Sequence, residues 1–333
     1  MESWREAKDE EISLRQFSGG ITNKLFCLKY KEERVLSRIY GDNTELFIDR
    51  ERENNFMKHL GHLPFISNIF GRFKNGFFYQ FLPGKTLSTE ELPQYSTLIS
   101  RRLAELHKQT PLLGKEMNVW ESMMTFLNLL DVKDFEGLDY EKDTLLYFLQ
   151  LLKDQLNKDY KSSVVLAHND LLNGNILFDG GSFSSRKISK DKFCFTFFLC
   201  AENINFIDYE YGSYNFRGYD IGNHFCEFMG FELDVKKYPD RNLQTAWLTA
   251  YYSAFYGCLP TKDELVKLYR EVNVFSLVSH LYWGTWAILQ SRHSTIDFNY
   301  KEYGCKRFDF IFYNKDSFLK NDGTSEFVYK LGV

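Results

Sequence analysis

The chain has 333 residues, of which 44% are hydrophobic and 26% are charged, and it contains only six prolines. This composition is typical of a globular protein, and the length favours two lobes that share a cleft. A net charge of −4 and a pI near 6.0 give no basic field, which argues against a protein for long nucleic acid or an anionic membrane surface and favours a small ligand.

The first part of the chain predicts a small sheet with one helix. The expected elements are a hairpin over 14–30 with Ser18, Gly19 and Gly20 at its tip, a strand over 34–40, a helix over 49–60, and strands over 69–73 and 77–81. Asn75 and Gly76 lie between the last two strands and are a strong signal for a two-residue turn.

Pro83 and Gly84 mark a break, after which the helical period predominates. Ile99, Leu103 and Leu106 are spaced by four and three residues, which places them on one face of a helix over 96–109. Four leucines at 145, 149, 152 and 156 show the same helical spacing. Short strands are expected at 164–167, 175–178 and 203–207, with helices from there to the C-terminus.

Segments for targeting or metal binding are not evident. Residues 1–11 are charged and lack the apolar stretch of a secretory signal, and the longest aromatic run, 193–201, is about half of what a bilayer span needs. The six cysteines form no CxxC pair, so neither zinc nor structural disulfides are expected. We therefore expect a cytoplasmic protein without stable membrane insertion.

The most informative segment is 164–178, an apolar strand, a polar loop and a second strand. The loop carries His168, Asp170 and Asn175 in the order H-x-D-x-x-x-x-N. Phosphoryl transfer to a hydroxyl needs a carboxylate that orients the hydroxyl and accepts its proton, and an oxygen ligand that holds Mg²⁺ against the phosphates. A later apolar strand ends at Asp208, a second carboxylate suited to Mg²⁺. Either motif alone is also explained as a turn, but the two in this order favour a phosphotransferase.

The chain resembles the choline/ethanolamine kinase family over nearly its whole length. The resemblance rests on residues 17–24, 35–41, 168–175, 207–211, 214–225 and 279–286. It implies an α+β, two-lobed protein-kinase-like (aminoglycoside phosphotransferase-like) fold. A small β-rich nucleotide-binding lobe would span residues 1–82, and a larger, mainly helical catalytic lobe would span residues 83–333. The implied cofactors are ATP and Mg²⁺.

The same resemblance implies roles for individual residues. Asp170 would be the catalytic base, Asn175 and Asp208 would hold Mg²⁺, and Asp220 would anchor the catalytic loop through backbone N–H groups. The implied nucleotide-binding residues are Ser18, Gly19, Gly20, Ile21, Thr22, Asn23, Arg38, Glu53, Gln80, Phe81 and Leu82. Arg38 stands where protein kinases place a lysine, although by itself it reads as an exposed strand cation. His168 and His224 are expected to brace loops, since no third ligand lies at metal spacing.

A cationic acceptor needs negative charge and aromatic faces, which the C-terminal half offers. Trp283 and Trp286 lie three residues apart and so share a helix face; core packing is the ordinary explanation of such a pair. The resemblance instead implies an amine pocket formed, together with Asp170, by Tyr211, Glu227, Trp283, Trp286, Phe298 and Tyr303. Phe228 replaces a tryptophan common in choline kinases and is expected to thin this cage.

The implied reaction is phosphorylation of ethanolamine to phosphoethanolamine, the first step of phosphatidylethanolamine synthesis by the CDP-ethanolamine route. Residue types alone do not separate ethanolamine from choline, but residues 41–51, 238–244, 247–251 and 294–298 resemble ethanolamine kinases. The alternatives are a choline kinase, a kinase for another hydroxylated amine such as an aminoglycoside, and a catalytically impaired pseudokinase. Relatives in the family often pair, so a homodimer is expected.

One segment departs from the family pattern. Residues 180–202 form an insertion that places Asp208 38 positions after Asp170 (208 − 170). If this insertion displaced the strand before Asp208, the metal site would be lost. That outcome would favour the pseudokinase.

Overall fold

The computed structural model of the chain describes residues 2–17, 23–41, 48–109, 119–180, 204–294 and 296–320. Its N-terminal part is a five-stranded antiparallel sheet, in the order β1-β2-β3-β5-β4, with one helix. The elements are β1 (Ser13–Phe17), β2 (Asn23–Tyr30), β3 (Glu33–Tyr40), α1 (Arg50–Leu60), β4 (Ile69–Phe73) and β5 (Gly76–Gln80). The predicted strands and helix are confirmed, while the hairpin tip at 18–22 lies outside the described residues.

The turn between β4 and β5 lies one residue earlier than predicted. Lys74 and Asn75 form it, and Gly76 is already paired with Phe73 in the sheet. A Cβ at position 76 would lie 2.0 Å from the carbonyl oxygen of Arg38. Gly76 is therefore needed for close approach of the neighbouring strand, not for the turn.

Helices dominate the C-terminal part. They are α2 (Leu92–His107), α3 (Val119–Leu129), α4 (Lys142–Asp159), α5 (Arg217–Glu227), α6 (Arg241–Tyr256), α7 (Lys262–His293) and α8 (Tyr300–Lys320). The short strands are β6 (Lys85–Thr86), β7 (Val164–Ala167), β8 (Ile176–Phe178), β9 (Ile204–Phe206) and β10 (Ser213–Phe216), in the sheets β10-β7 and β6-β8-β9. The division after residue 82 stays a prediction; β5 and β6, on either side of it, belong to different sheets.

Two predictions for this part need correction. Helix α2 begins four residues before the expected start, because Pro93 lies in its first turn, where the fixed φ of proline suits a helix. Strand β10 was expected to be helical, because helices were predicted for the chain after residue 207, and its four residues, Ser-Tyr-Asn-Phe, are too few to establish a period. It pairs antiparallel with β7, the strand that precedes the polar loop over residues 168–175.

Helix α7 is the centre of the C-terminal part. Thr261 and Glu264 form a capping box at its start, and nearly every residue from Leu268 to Gln290 is buried on all sides. It packs against α3, α4, α5, α6 and α8. In the described residues, no helix combines the length and the apolar character that crossing a bilayer requires.

Candidate active site

The loop over residues 168–175, named the catalytic loop after its predicted role, follows β7 and is anchored by Asp220. The carboxylate of this fully buried residue accepts hydrogen bonds from the backbone N–H groups of His168 (2.8 Å) and Asn169 (2.7 Å). It also contacts His107 Nε2 at 2.8 Å. Burial acts to raise the pKa of Asp220, but these hydrogen bonds and nearby histidines hold it below its ordinary value. The predicted anchoring role of Asp220 is confirmed.

Asp170 and Asn175 face each other across this loop. Asn175 Nδ2 donates to the carbonyl oxygen of Asp170 (2.8 Å) and to its Oδ2 (3.1 Å). These two bonds orient the amide so that its oxygen is the atom left for another ligand. Desolvation, followed by the negative charges of Glu227 and Asp208, raises the pKa of Asp170 well above its ordinary value.

Asp208 reaches the same place from β9. The backbone N–H of Ile207 donates to the carbonyl oxygen of Asn175 (3.0 Å), and β9 pairs with β8 despite the long insertion between them. Asp208 has φ +66°, a left-handed conformation that Asp tolerates better than most residues, and its Oδ1 lies 2.8 Å from Arg38 Nη1. The insertion therefore does not displace β9 from its place beside β8. Residues 181–203 themselves lie outside the described part of the chain.

The predicted loop-bracing histidines are confirmed. His168 Nε2 contacts the carbonyl oxygen of Ile207 at 3.0 Å, and His224 Nδ1 contacts that of Leu171 at 2.9 Å. Both rings are fully buried, and burial lowers the pKa of each.

A charged cluster connects the N-terminal sheet to the segment that follows β9. Arg38 lies 2.8 Å from Glu53 as well as from Asp208, so the expected Arg38–Glu53 pair is present. Arg50 bridges Glu53 (3.1 Å) and Glu210 (3.2 Å). Ligand oxygens of Glu53, Asp208 and Glu210 lie within 4.8 Å of one another. Burial, with the charge of Asp208, raises the pKa of Glu210 to about 7.

Sequence reasoning missed Arg50 and Glu210. Arg50 left a signal, because it precedes Glu53 by one helical turn. Glu210 left none, because it lies in a turn after the left-handed Asp208 and not in an extended strand. Asn23, the one predicted phosphate-loop residue that the structure describes, donates from Nδ2 to Glu210 at 2.8 Å. The other five, Ser18, Gly19, Gly20, Ile21 and Thr22, lie outside the described residues.

Three predicted nucleotide-binding residues, Gln80, Phe81 and Leu82, belong to a segment that resembles the hinge between the lobes, where backbone groups would meet adenine. Among the described residues that line the cavity around Asp170, none belongs to 80–82. The side chain of Gln80 accepts a hydrogen bond from Asn68 Nδ2. The ring centroid of Phe81 lies 5.1 Å from Arg34 Cζ, and Leu82 is buried. Their contact with adenine stays a prediction.

The predicted amine-site residues line one cavity of about 420 Å³ together with Asp170, Asn175 and Asp208. They are Tyr211, Glu227, Trp283, Trp286, Phe298 and Tyr303. The ring centroids of Trp283 and Trp286 are 5.5 Å apart at 77°, and those of Tyr211 and Trp283 are 5.2 Å apart at 73°. Trp283 and Trp286 thus lie on the same side of α7, as their spacing predicts, whereas their binding of an amine stays a prediction.

Arg307 and Phe231 also line this cavity, and sequence reasoning missed them. Arg307 Nη2 lies 3.4 Å from Glu227 Oε1 and donates to the hydroxyl of Tyr303. Burial raises the pKa of Glu227, and Arg307 opposes that shift. Phe228 is buried against the ring of His224 and is not among the cavity-lining residues. Its effect on the cage, relative to a tryptophan, stays a prediction.

Comparison with known proteins shows consistent similarity. The family model described as choline/ethanolamine kinase matches residues 14–312. A probable ethanolamine kinase A from Dictyostelium discoideum is 35% identical over 333 residues, covering 95% of this chain and 89% of that protein. The structure of an ethanolamine kinase from Plasmodium vivax aligns with TM-score 0.76 and 26% identity, covering 91% and 82% of the two chains. A choline kinase from Cryptosporidium parvum aligns with TM-score 0.77, 23% identity and coverage of 96% and 94%, which bears on the fold alone.

Proposed function

The chain belongs to the choline/ethanolamine kinase family, with its two-lobed fold, and from that premise we propose that it transfers the γ-phosphoryl group of ATP to the hydroxyl of ethanolamine. The product is phosphoethanolamine, and family membership places the reaction in phospholipid synthesis. One observation carries the proposal: a single cavity joins Asp170, Asn175 and Asp208 to an aromatic pocket that contains a carboxylate.

Asp170 would act on the acceptor hydroxyl. Its carboxylate lines the cavity between the charged cluster and the aromatic pocket, where it can orient the hydroxyl for in-line attack. The pKa of Asp170 is raised by desolvation and neighbouring negative charge, which increases its affinity for the proton that the hydroxyl releases.

The oxygen ligands at this site fit Mg²⁺, which prefers carboxylate and amide oxygens. Asp208 and the free amide oxygen of Asn175 are the proposed ligands, and Glu210 supplies a further carboxylate in the same cluster. The cation, when bound, would neutralise charge on the phosphates. Arg38 would pair with phosphate oxygens, Glu53 would hold Arg38, and residues 18–23 would cover the phosphates.

The aromatic pocket would hold the ammonium group. Trp283, Trp286 and Tyr211 present ring faces and edges, and Glu227 supplies the countercharge. Ethanolamine has three N–H donors that a carboxylate or a hydroxyl can accept, whereas choline has none. The sequence similarity to ethanolamine kinases, which extends over most of the chain, supports ethanolamine as the substrate.

The remaining expectations are retained as parts of the proposal. We place the enzyme in the cytoplasm and expect a homodimer. The retention of Asp170, Asn175 and Asp208 around one cavity argues against a pseudokinase, which usually lacks one of the three.

The direct test is ADP release by the purified chain with Mg²⁺ and ATP, measured with ethanolamine, with choline and without acceptor. We expect kcat/KM for ethanolamine to exceed that for choline, since the ratio reports discrimination in the transition state. Turnover of choline alone would identify a choline kinase. No acceptor-dependent release by folded protein would refute kinase activity on either amine.

A further inference from the structure

We propose that Asn223 is a positioning residue that couples the amine pocket to the catalytic loop. Asn223 lies on α5 and is completely buried. Its Oδ1 accepts hydrogen bonds from Trp283 Nε1 and Ser279 Oγ, both at 2.7 Å. Its Nδ2 donates to the carbonyl oxygen of Asn169 at 3.2 Å. This inference rests on the proposed function, because it takes the Trp283 pocket to be the amine site.

The amide group of Asn223 is suited to this link. Two donors meet its oxygen on the side of α7, so its nitrogen must face the catalytic loop. A hydroxyl is shorter, and an ionised carboxylate has no donor for the Asn169 carbonyl. One side chain thus connects a wall of the pocket to the residue that precedes Asp170.

A second wall of the pocket is tied to the same loop residue. Asn169 Nδ2 donates to the carbonyl oxygen of Tyr211 (2.8 Å) and to Ser213 Oγ (2.9 Å), and Asn169 Oδ1 accepts from Asn215 (2.8 Å). Asn169 itself has φ +65°, a conformation that needs this support. The backbone of Tyr211 and, through Asn223, the ring of Trp283 are therefore both tied to Asn169.

This arrangement keeps the ammonium site at a constant distance from the base. The acceptor hydroxyl is two carbons from the ammonium, so a shift of Trp283 relative to Asp170 would misplace it for in-line attack. We expect Asn223→Ala to lower kcat for ethanolamine about 30-fold, because a displacement of about 1 Å can cost up to about 100-fold in rate. The KM for ATP should change little, since Asn223 contacts no residue of the charged cluster.

The test compares two reactions in the same preparation. Ethanolamine phosphorylation requires that the amine pocket and the catalytic loop be correctly positioned relative to each other, whereas the slow hydrolysis of ATP by water does not use the pocket. Asn223→Ala should lower the first about 30-fold and the second less than about 3-fold. Asn273→Ala is the matched control: this asparagine is equally buried and makes three hydrogen bonds to Gln244, Tyr269 and Tyr238, away from the loop.

A double-mutant cycle and a pair of serine variants with smaller expected effects test the same link. In a Trp283→Phe background, which lacks the indole donor, the further effect of Asn223→Ala should fall below about 3-fold. Ser279→Ala removes the other donor and should lower kcat for ethanolamine about 3-fold, while Ser276→Ala, one turn earlier on α7, should not. The serine pair tests the inference even if Asn223→Ala does not fold.

Equal losses in both reactions, or fully multiplicative effects of Asn223→Ala and Trp283→Phe, would overturn the positioning role. So would identical behaviour of the two serine variants. Absence of ethanolamine turnover by the unmodified chain would instead count against the proposed function.

Discussion

The carboxylate of Asp170 is poorly solvated by water. Its proposed contribution to activity and its effect on stability should therefore have opposite signs. Its pKa is raised well above the ordinary value, first by desolvation and then by Glu227 and Asp208. A folded state that holds such a group ionised is destabilised by it, so activity and stability should respond oppositely to its removal.

Asp170→Asn tests that separation. It should lower kcat for ethanolamine about 1,000-fold, within the range for loss of a general base. The Tm should stay equal or rise, because the amide keeps an oxygen for Asn175 and removes a poorly solvated charge. Rates and thermal unfolding at pH 8 measure both; Asp316→Asn, on an exposed side chain of α8, should change neither. A large fall in Tm would contradict this account.

His224 should limit stability in mild acid. Its Nδ1 lies against the carbonyl oxygen of Leu171 and its Nε2 is buried without a partner, so the neutral ring is the favoured form. Burial lowers the pKa of His224 to about 4, against about 6.5 when unfolded. The unfolded state therefore binds more protons between these values. The stability that neutral His224 contributes is therefore fully present above pH 6.5 and is lost progressively as the pH falls towards 4.

The corresponding variant is His224→Asn. At pH 8 it should be less stable than the parent, but the gap should narrow by roughly 3 kcal/mol towards pH 4, because the variant lacks this titration. Urea unfolding at several pH values measures the gap, and His62→Asn, at an exposed position, should leave the parent profile unchanged. A constant gap across this range would contradict the assignment.

At the level of elements, the crossing of α5 and α7 holds the site together. Asp220, Asn223 and His224 project from α5 to three parts of the catalytic loop, while Trp283 and Trp286 project from α7 into the cavity. The two helices approach closely at Gly222, where a Cβ would lie 2.7 Å from the carbonyl oxygen of Val272 and 2.9 Å from the N of Ser276.

Gly222→Ala should therefore separate the two helices. Backbone atoms cannot move aside as a flexible side chain can, and overpacking of this kind typically costs about 1–3 kcal/mol. We expect a lower Tm together with a higher KM for ethanolamine, since Trp283 moves with α7. Gly71→Ala is the control, because a Cβ there meets nothing within 4 Å. Unchanged thermal unfolding of Gly222→Ala would show that the crossing tolerates a methyl group.

For the whole molecule, the charged cluster ties the N-terminal sheet and α1 to the segment that follows β9. Arg38 joins β3 to Asp208, and Arg50 joins α1 to Glu210, so two cations hold three carboxylates that would otherwise repel one another. Breaking a buried ion pair on one side is costly because it leaves the partner charge uncompensated.

Arg50→Met should destabilise the protein by about 3 kcal/mol at pH 8 in the absence of Mg·ATP. The effect should be smaller at pH 6. The pKa of Glu210 is already raised to about 7, and loss of the Arg50 cation raises it further, so at pH 6 Glu210 is neutral and needs no partner. Chemical unfolding at both pH values tests this, with Lys58→Met on the exposed side of α1 as control. Equal destabilisation at pH 6 and pH 8 would exclude Glu210 as the responsible partner.

Much of this architecture was predictable from the sequence, because its signals are local. The alternation of strands in the first 80 residues, the leucine spacing of α2 and α4, and the order of His168, Asp170 and Asn175 each depend on neighbours within a turn or a loop. The pair Trp283 and Trp286 was predictable for the same reason. These features predicted the family and the reaction type, which the similarity to ethanolamine kinases supports, whereas the catalytic roles of Asp170, Asn175 and Asp208 stay predictions.

Only the tertiary structure decided which distant residues complete the site. Arg50 and Glu210 are 160 residues apart, and Asn223 and Trp283 are 60 apart, so no short-range period connects them. Strand β10 was missed for a related reason: its four residues are too few to establish a period, and its partner β7 lies about 50 residues earlier in the chain. Local propensity selects helices and strands, whereas burial and charge compensation between remote segments select the partners of each functional side chain.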